Sequence, residues 1–82
     1  MSKYDKLLDR VKSLDRNLRF EELAKILERI GYVMKSPKGG SSHVTFKKDG
    51  KLLITIPKTT PVNKAYIELV RDAIIDYESE DD

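Results

Sequence analysis

The hydrophobic period of this chain changes twice, and that limits what it can fold into. From Phe20 to Ile30 the apolar residues Phe20, Leu23, Ala24, Ile26, Leu27 and Ile30 recur at helical spacing, with Glu21, Glu22, Lys25, Glu28 and Arg29 between them. From Val44 to Ile56 the pattern is alternation: Val44 and Phe46, then Leu52, Ile54 and Ile56. From Val62 onward the helical period returns through Ala65, Tyr66, Leu69, Val70, Ala73, Ile74 and Tyr77. A stretch patterned for one period does not bury its apolar face in the other conformation. The chain must therefore form helices on either side of a small sheet.

The punctuation between these stretches sets the element order. Tyr4, Leu7, Leu8 and Val11 predict a leading helix over residues 3–13, and a polar connection runs from Ser13 to Leu18. The second helix spans about 20–30, with early glutamates at the positive end of its dipole and Gly31 as its stop. Residues 32–35 form a short strand that ends at Pro37, Gly39 and Gly40. A second strand covers 42–47 and a third covers 51–56, joined by Lys48-Asp49-Gly50 turn chemistry. Leu52, Ile54 and Ile56 should then join Val44 and Phe46 in the core. Pro57 ends the third strand, and Thr60 or Asn63 caps a last helix that runs to Tyr77. The expected fold is α+β in the order α-α-β-β-β-α, a three-stranded antiparallel sheet with helices packed on one face. One domain occupies residues 1–77, followed by a frayed acidic tail at 78–82.

Charge divides unevenly along the 82 residues. Between 35 and 64, Lys35, Lys38, Lys47, Lys48, Lys51, Lys58 and Lys64 stand against Asp49 alone, whereas the last eighteen residues set Arg71 against seven carboxylates. A basic patch in the middle of the chain attracts phosphate backbones; the same lysines could instead keep an edge strand soluble. The chain has no cysteine, which excludes disulfides and thiolate metal sites. No apolar run is long enough for a membrane span and the first residues lack the apolar core of a signal peptide. The expectation is a cytoplasmic protein with no membrane partner.

The only histidine, His43, sits where the loop Ser36-Pro37-Lys38-Gly39-Gly40-Ser41-Ser42 enters the second strand. With Val44 and Phe46 turned inward, alternation puts His43, Thr45 and Lys47 together on the wet face. One histidine cannot supply the usual metal ligand set, and there is no Walker loop or dinucleotide fingerprint. Ser41 and Ser42 have no evident carboxylate to complete a hydrolytic triad, unless Asp49 lies across the hairpin. RNA brings its own nucleophile, the 2′-hydroxyl. A histidine can take that proton or give one to the leaving 5′-oxygen, while lysines stabilise the phosphate charge. That reaction needs no metal or other cofactor. The other readings are a module that grips RNA without cutting it, and a protein-interaction domain whose basic face serves only a partner.

Leu18-Arg19-Phe20-Glu21-Glu22-Leu23, Ile30-Gly31-Tyr32, Gly40-Ser41-Ser42-His43-Val44-Thr45-Phe46, Ile54-Thr55-Ile56-Pro57 and Val62-Asn63-Lys64-Ala65-Tyr66-Ile67 closely resemble the HicA family of toxins. The resemblance covers nearly the whole chain apart from the acidic tail. It implies a double-stranded-RNA-binding-like fold, ribonuclease activity on mRNA that slows translation, and a HicB-like antitoxin that covers the active surface. The family's catalytic histidine corresponds to His43, with Gly40, Ser41 and Ser42 as the loop leading into it. Lys35, Lys38, Lys47, Lys48 and Lys58 are the expected phosphate-facing set. Thr59 stands where related sequences often carry a basic or imidazole side chain.

Overall fold

The computed structural model describes residues 3–35, 43–59 and 61–80. It contains α1 (Lys3–Lys12), α2 (Phe20–Arg29), β1 (Val33–Lys35), β2 (His43–Lys47), β3 (Ile54–Pro57) and α3 (Lys64–Glu80). The strands form one antiparallel sheet in the order β1-β2-β3. The helices cover one face of it, as the periodicity predicts. Among the described residues no helix is long and apolar enough to cross a membrane.

The core lies between the helices and one face of the sheet. Val44 and Phe46 from β2 and Ile54 and Ile56 from β3 meet Leu23, Ile26 and Leu27 of α2 and Ile67, Val70 and Ile74 of α3. The Phe20 and Phe46 rings sit 6.1 Å apart in a tilted pair, a geometry aromatic rings favour. Val11 is the fully buried contribution of α1, whose Tyr4, Leu7 and Leu8 pack against the margin. No described polar or charged side chain is buried, so the interior is held by apolar contact alone, about 1.5–3 kcal/mol for each large side chain.

The helix ends follow from the residues placed there. At the start of α2 the Arg19 N–H donates to the Glu22 carboxylate at 3.0 Å. At its end Gly31 N–H donates to Glu28 C=O and Tyr32 N–H to Leu27 C=O, at 3.2 and 2.9 Å, the pair of bonds of a Schellman stop. Gly31 has φ +104° there, which a side chain would strain. Asn63 caps α3 by accepting from the Ala65 N–H at 2.9 Å; Thr60, the other candidate cap, lies outside the described residues. Arg10 ties α1 to the following segment and to α2, reaching Asp15 at 2.8 Å and Glu22 at 2.7 Å.

Three details differ from the sequence reading. The third strand begins at Ile54, not Lys51, and Leu52 is 89 % exposed. Pairing with β2 starts at Phe46↔Ile54. Before it the chain bows out, with the Lys51 ammonium drawn to Asp76 and Glu80 of α3, so Leu52 sits beyond the area the helices cover. In α3 the buried stripe is Ile67, Val70, Ala73 and Ile74, whereas Ala65, Leu69 and Tyr77 are exposed. The buried stripe keeps Val70, Ala73 and Ile74 of the expected set and takes Ile67 in place of Leu69, while Val62 before the helix is buried and its N–H donates to Leu18 C=O at 3.1 Å. Finally, α3 continues through Glu80, and Glu78 pairs with Lys12 of α1 at 3.0 Å.

Phe46→Ala should lower the unfolding free energy by about 3–5 kcal/mol, whereas Leu52→Ala should change it by less than about 0.5 kcal/mol. Urea denaturation followed by circular dichroism measures both; equal effects would refute the placement of the core.

Candidate site on the open face of the sheet

The burial pattern of β2 is strictly alternating. Val44 and Phe46 are buried; His43 and Lys47 are exposed, and Thr45 is half-buried. Residues directly opposite in an antiparallel pair share a face, so the register extends this outer face across the sheet. Lys35 of β1 lies opposite Thr45, and Val33 opposite Lys47. On the other side Thr55 of β3 lies opposite Thr45, and Pro57 opposite His43. The Thr45 and Thr55 hydroxyls are hydrogen-bonded at 3.2 Å. The open face therefore carries an imidazole, two linked hydroxyls and two ammonium groups, and none of Val33, Lys35, His43, Thr45, Lys47 and Thr55 is acidic. Asp49 lies in the turn past the far end of β2, away from His43, so it does not face the histidine across the hairpin.

The expected lysines divide into two groups. Lys35 and Lys47 are exposed on the open face, and a shallow groove of about 260 Å³ joins them with Gly31, Val33, Lys48 and Asp49. Lys48 is half-buried and turned toward the helices. Its ammonium donates to Ile30 C=O at 2.7 Å, and it lies 4.9 Å from the centre of the Tyr77 ring and 5.7 Å from that of Tyr32. The carbonyl of Ile30, which caps the C-terminus of α2, and two aromatic faces thus engage this cation. Lys58 is exposed, with its ammonium 5.9 Å over the Phe20 ring at the start of α2. Lys38, Gly40, Ser41 and Ser42 lie outside the described residues. Thr59 is exposed just past β3.

A larger groove of about 430 Å³ lies between α1 and α2, lined by Lys3, Lys6, Leu7, Arg10, Glu21, Glu22 and Lys25. It contains no histidine, and Arg10, the arginine in its wall, is already paired with Asp15 and Glu22. Concavity matters less than charge for a ligand gripped by its phosphates, and the sheet face is where the histidine and the exposed lysines Lys35 and Lys47 lie together.

Thr55 is the residue the sequence reading does not single out. Its flanking Ile54 and Ile56 announce that it points outward, but its partnership with Thr45 needs the register.

The family description "HicA toxin of bacterial toxin-antitoxin" matches residues 20–71. The chain belongs to the HicA toxin family. The match begins at the first residue of α2, takes in the whole sheet and ends within α3. It contains every described residue of the open face, while α1 and the end of α3 flank the family region. No curated protein and no solved structure gives a significant match to the chain. Membership makes the protein a toxin of a bacterial toxin–antitoxin system, for which an antitoxin is the expected partner.

Lys48→Ala should destabilise the protein by about 1 kcal/mol through loss of the bond to Ile30, while Lys47→Ala should stay within about 0.5 kcal/mol of the parent. Urea midpoints at matched slopes measure the difference, and the reverse order would refute the division of the lysines.

Proposed function

We propose that the protein is the ribonuclease toxin of a HicA/HicB-type pair, cutting mRNA with His43 as the acid/base group. The observation that supports this reading is the exposure of His43 on the same sheet face as Lys35 and Lys47, with Asp49 confined to the turn past the far end of β2. The order α2-β1-β2-β3-α3 with both helices on one side is in keeping with the double-stranded-RNA-binding-like fold that the family resemblance implies. An open, cationic surface suits a polyanion, and an antitoxin of HicB type that blocks the protein would act by covering this face.

The chemistry follows from RNA itself. The imidazole of His43 accepts the proton of a ribose 2′-hydroxyl, and the 2′-oxygen forms a bond to the adjacent phosphorus. The P–O5′ bond then breaks, and the departing oxygen takes a proton from water, a lysine or a tyrosine. The products are a 2′,3′-cyclic phosphate and a 5′-hydroxyl end. Lys35 and Lys47 offset the negative charge that grows on the phosphate oxygens. Neither the nucleophile nor the charge compensation calls for a metal ion. With a single imidazole in the chain, the second proton transfer falls to a weaker group, which keeps the rate modest.

His43→Ala should lower RNA cleavage by roughly 10²–10⁴-fold and abolish growth arrest on induced expression, with the circular dichroism spectrum unchanged. Cleavage should persist in EDTA. Full activity in the variant would refute the assignment of His43. RNA binding without shortened products from the parent protein would favour a non-catalytic binding module. Lys35→Ala and Lys47→Ala should each weaken RNA binding across sequences and reduce the slope of log K against log salt by about 0.7–1; an unchanged slope would remove that lysine from the phosphate-facing set.

A further inference from the structure

The open face holds a polar pair that the histidine mechanism leaves unused. Thr45 and Thr55 face each other across β2 and β3 with their hydroxyls 3.2 Å apart. Thr45 is also the centre of the constellation. His43 lies two residues away on the same strand and the same face, about 7 Å between Cα atoms. Lys35 and Thr55 flank Thr45 on its two sides, at about 5 Å between Cα atoms. An imidazole, an ammonium and two hydroxyls thus surround one patch of sheet about the breadth of a phosphodiester.

Each threonine hydroxyl has one proton to donate. In the pair, one O–H is consumed by the mutual bond and the other remains to be offered outward. Its donating power is raised, because the hydroxyl that accepts a bond becomes a better donor. A phosphate oxygen lying over Thr45 would take that proton in a hydrogen bond, while Lys35 supplies the full positive charge beside it. The neighbouring ribose would then lie toward His43.

Resting on the ribonuclease reading, we propose that the linked hydroxyls of Thr45 and Thr55, together with Lys35, are the phosphate-holding group of the active site. They donate to a non-bridging oxygen of the scissile phosphate as its charge rises. The ligand class is an RNA phosphodiester, and the threonines act as one donor unit rather than as two independent contacts. A threonine pair across two strands could also serve only the sheet. That role would alter folding stability without changing turnover in the folded protein.

The test is steady-state cleavage of a short RNA by Thr45→Val, Thr55→Val and the double variant, with Thr45→Ser and Thr55→Ser as the conservative replacements. Each valine variant should lower kcat by roughly 10–100-fold, within reach of the effect of a lost donor to developing charge, with KM moving less than about threefold. The serine variants should stay within about threefold of the parent. The double variant should be no slower than the slower single one, since either change breaks the unit. Wild-type kcat in a folded Thr45→Val would overturn the proposal, as would multiplicative losses in the double variant. Should Thr45→Val fail to fold, Thr55→Val at its exposed position carries the same test. If His43→Ala is dead while the valine variants turn over normally, only this proposal falls; if the parent cleaves no RNA, the ribonuclease reading falls and takes this one with it.

Discussion

The sheet has a single dry face, and that asymmetry organises the molecule. Val44, Phe46, Ile54 and Ile56 are each at most 6 % exposed, held there by α2 and α3. Because side chains alternate along a strand, sealing these four obliges His43, Thr45, Lys47 and Thr55 to face water. A slip of one residue would exchange the two sets. The apolar contacts therefore set the register, and the register assembles the polar face. The site needs no special backbone geometry of its own; it is the reverse side of the core.

Electrostatics then separates the two sides. The acidic end of α3 is held on the helix side of the sheet, where Glu78 meets Lys12, and Asp76 and Glu80 meet Lys51. The two carboxylates raise the pKa of Lys51 well above the ordinary lysine range. Exposed pairs of this kind contribute little stability each. Their partners are Lys12 and Lys51, not the lysines of the open face. Lys48 shows the opposite fate for a cation. One residue beyond Lys47 it turns to the helices, takes the Ile30 carbonyl and two tyrosine rings, and becomes part of the joint between α2, β2 and α3. Two adjacent lysines thus do different work, one facing solvent and the other holding the fold together.

Most of the architecture could be read from local pattern. The helical stripe of 20–30, the stop at Gly31 and the inward pair Val44 and Phe46 each rest on a strong short-range preference, and each is found as expected. The exposed His43 follows from the same alternation. The misreadings came where an apolar residue had more than one plausible side. Leu52 continues the alternation of Ile54 and Ile56, yet it lies past the end of the pairing, where Lys51 is pulled aside. Leu69 and Tyr77 continue a plausible stripe in α3, but the packed core takes Ile67 instead and leaves them exposed. Short-range pattern counts apolar residues; it does not show where the covering surface ends.

Period and punctuation alone determine that this chain is three helices on one face of a small antiparallel sheet, and that His43 stands on the wet side of its second strand. These are consequences of neighbours within a few residues. Which groups stand beside that histidine was decided only by tertiary structure. Lys35 and Thr55 reach the same patch from strands separated in sequence, by way of the pairings with Thr45, and Lys48 leaves it for a carbonyl eighteen residues away. The reason is that strand register and the reach of a long side chain depend on how the whole core packs, and no local stretch carries that information.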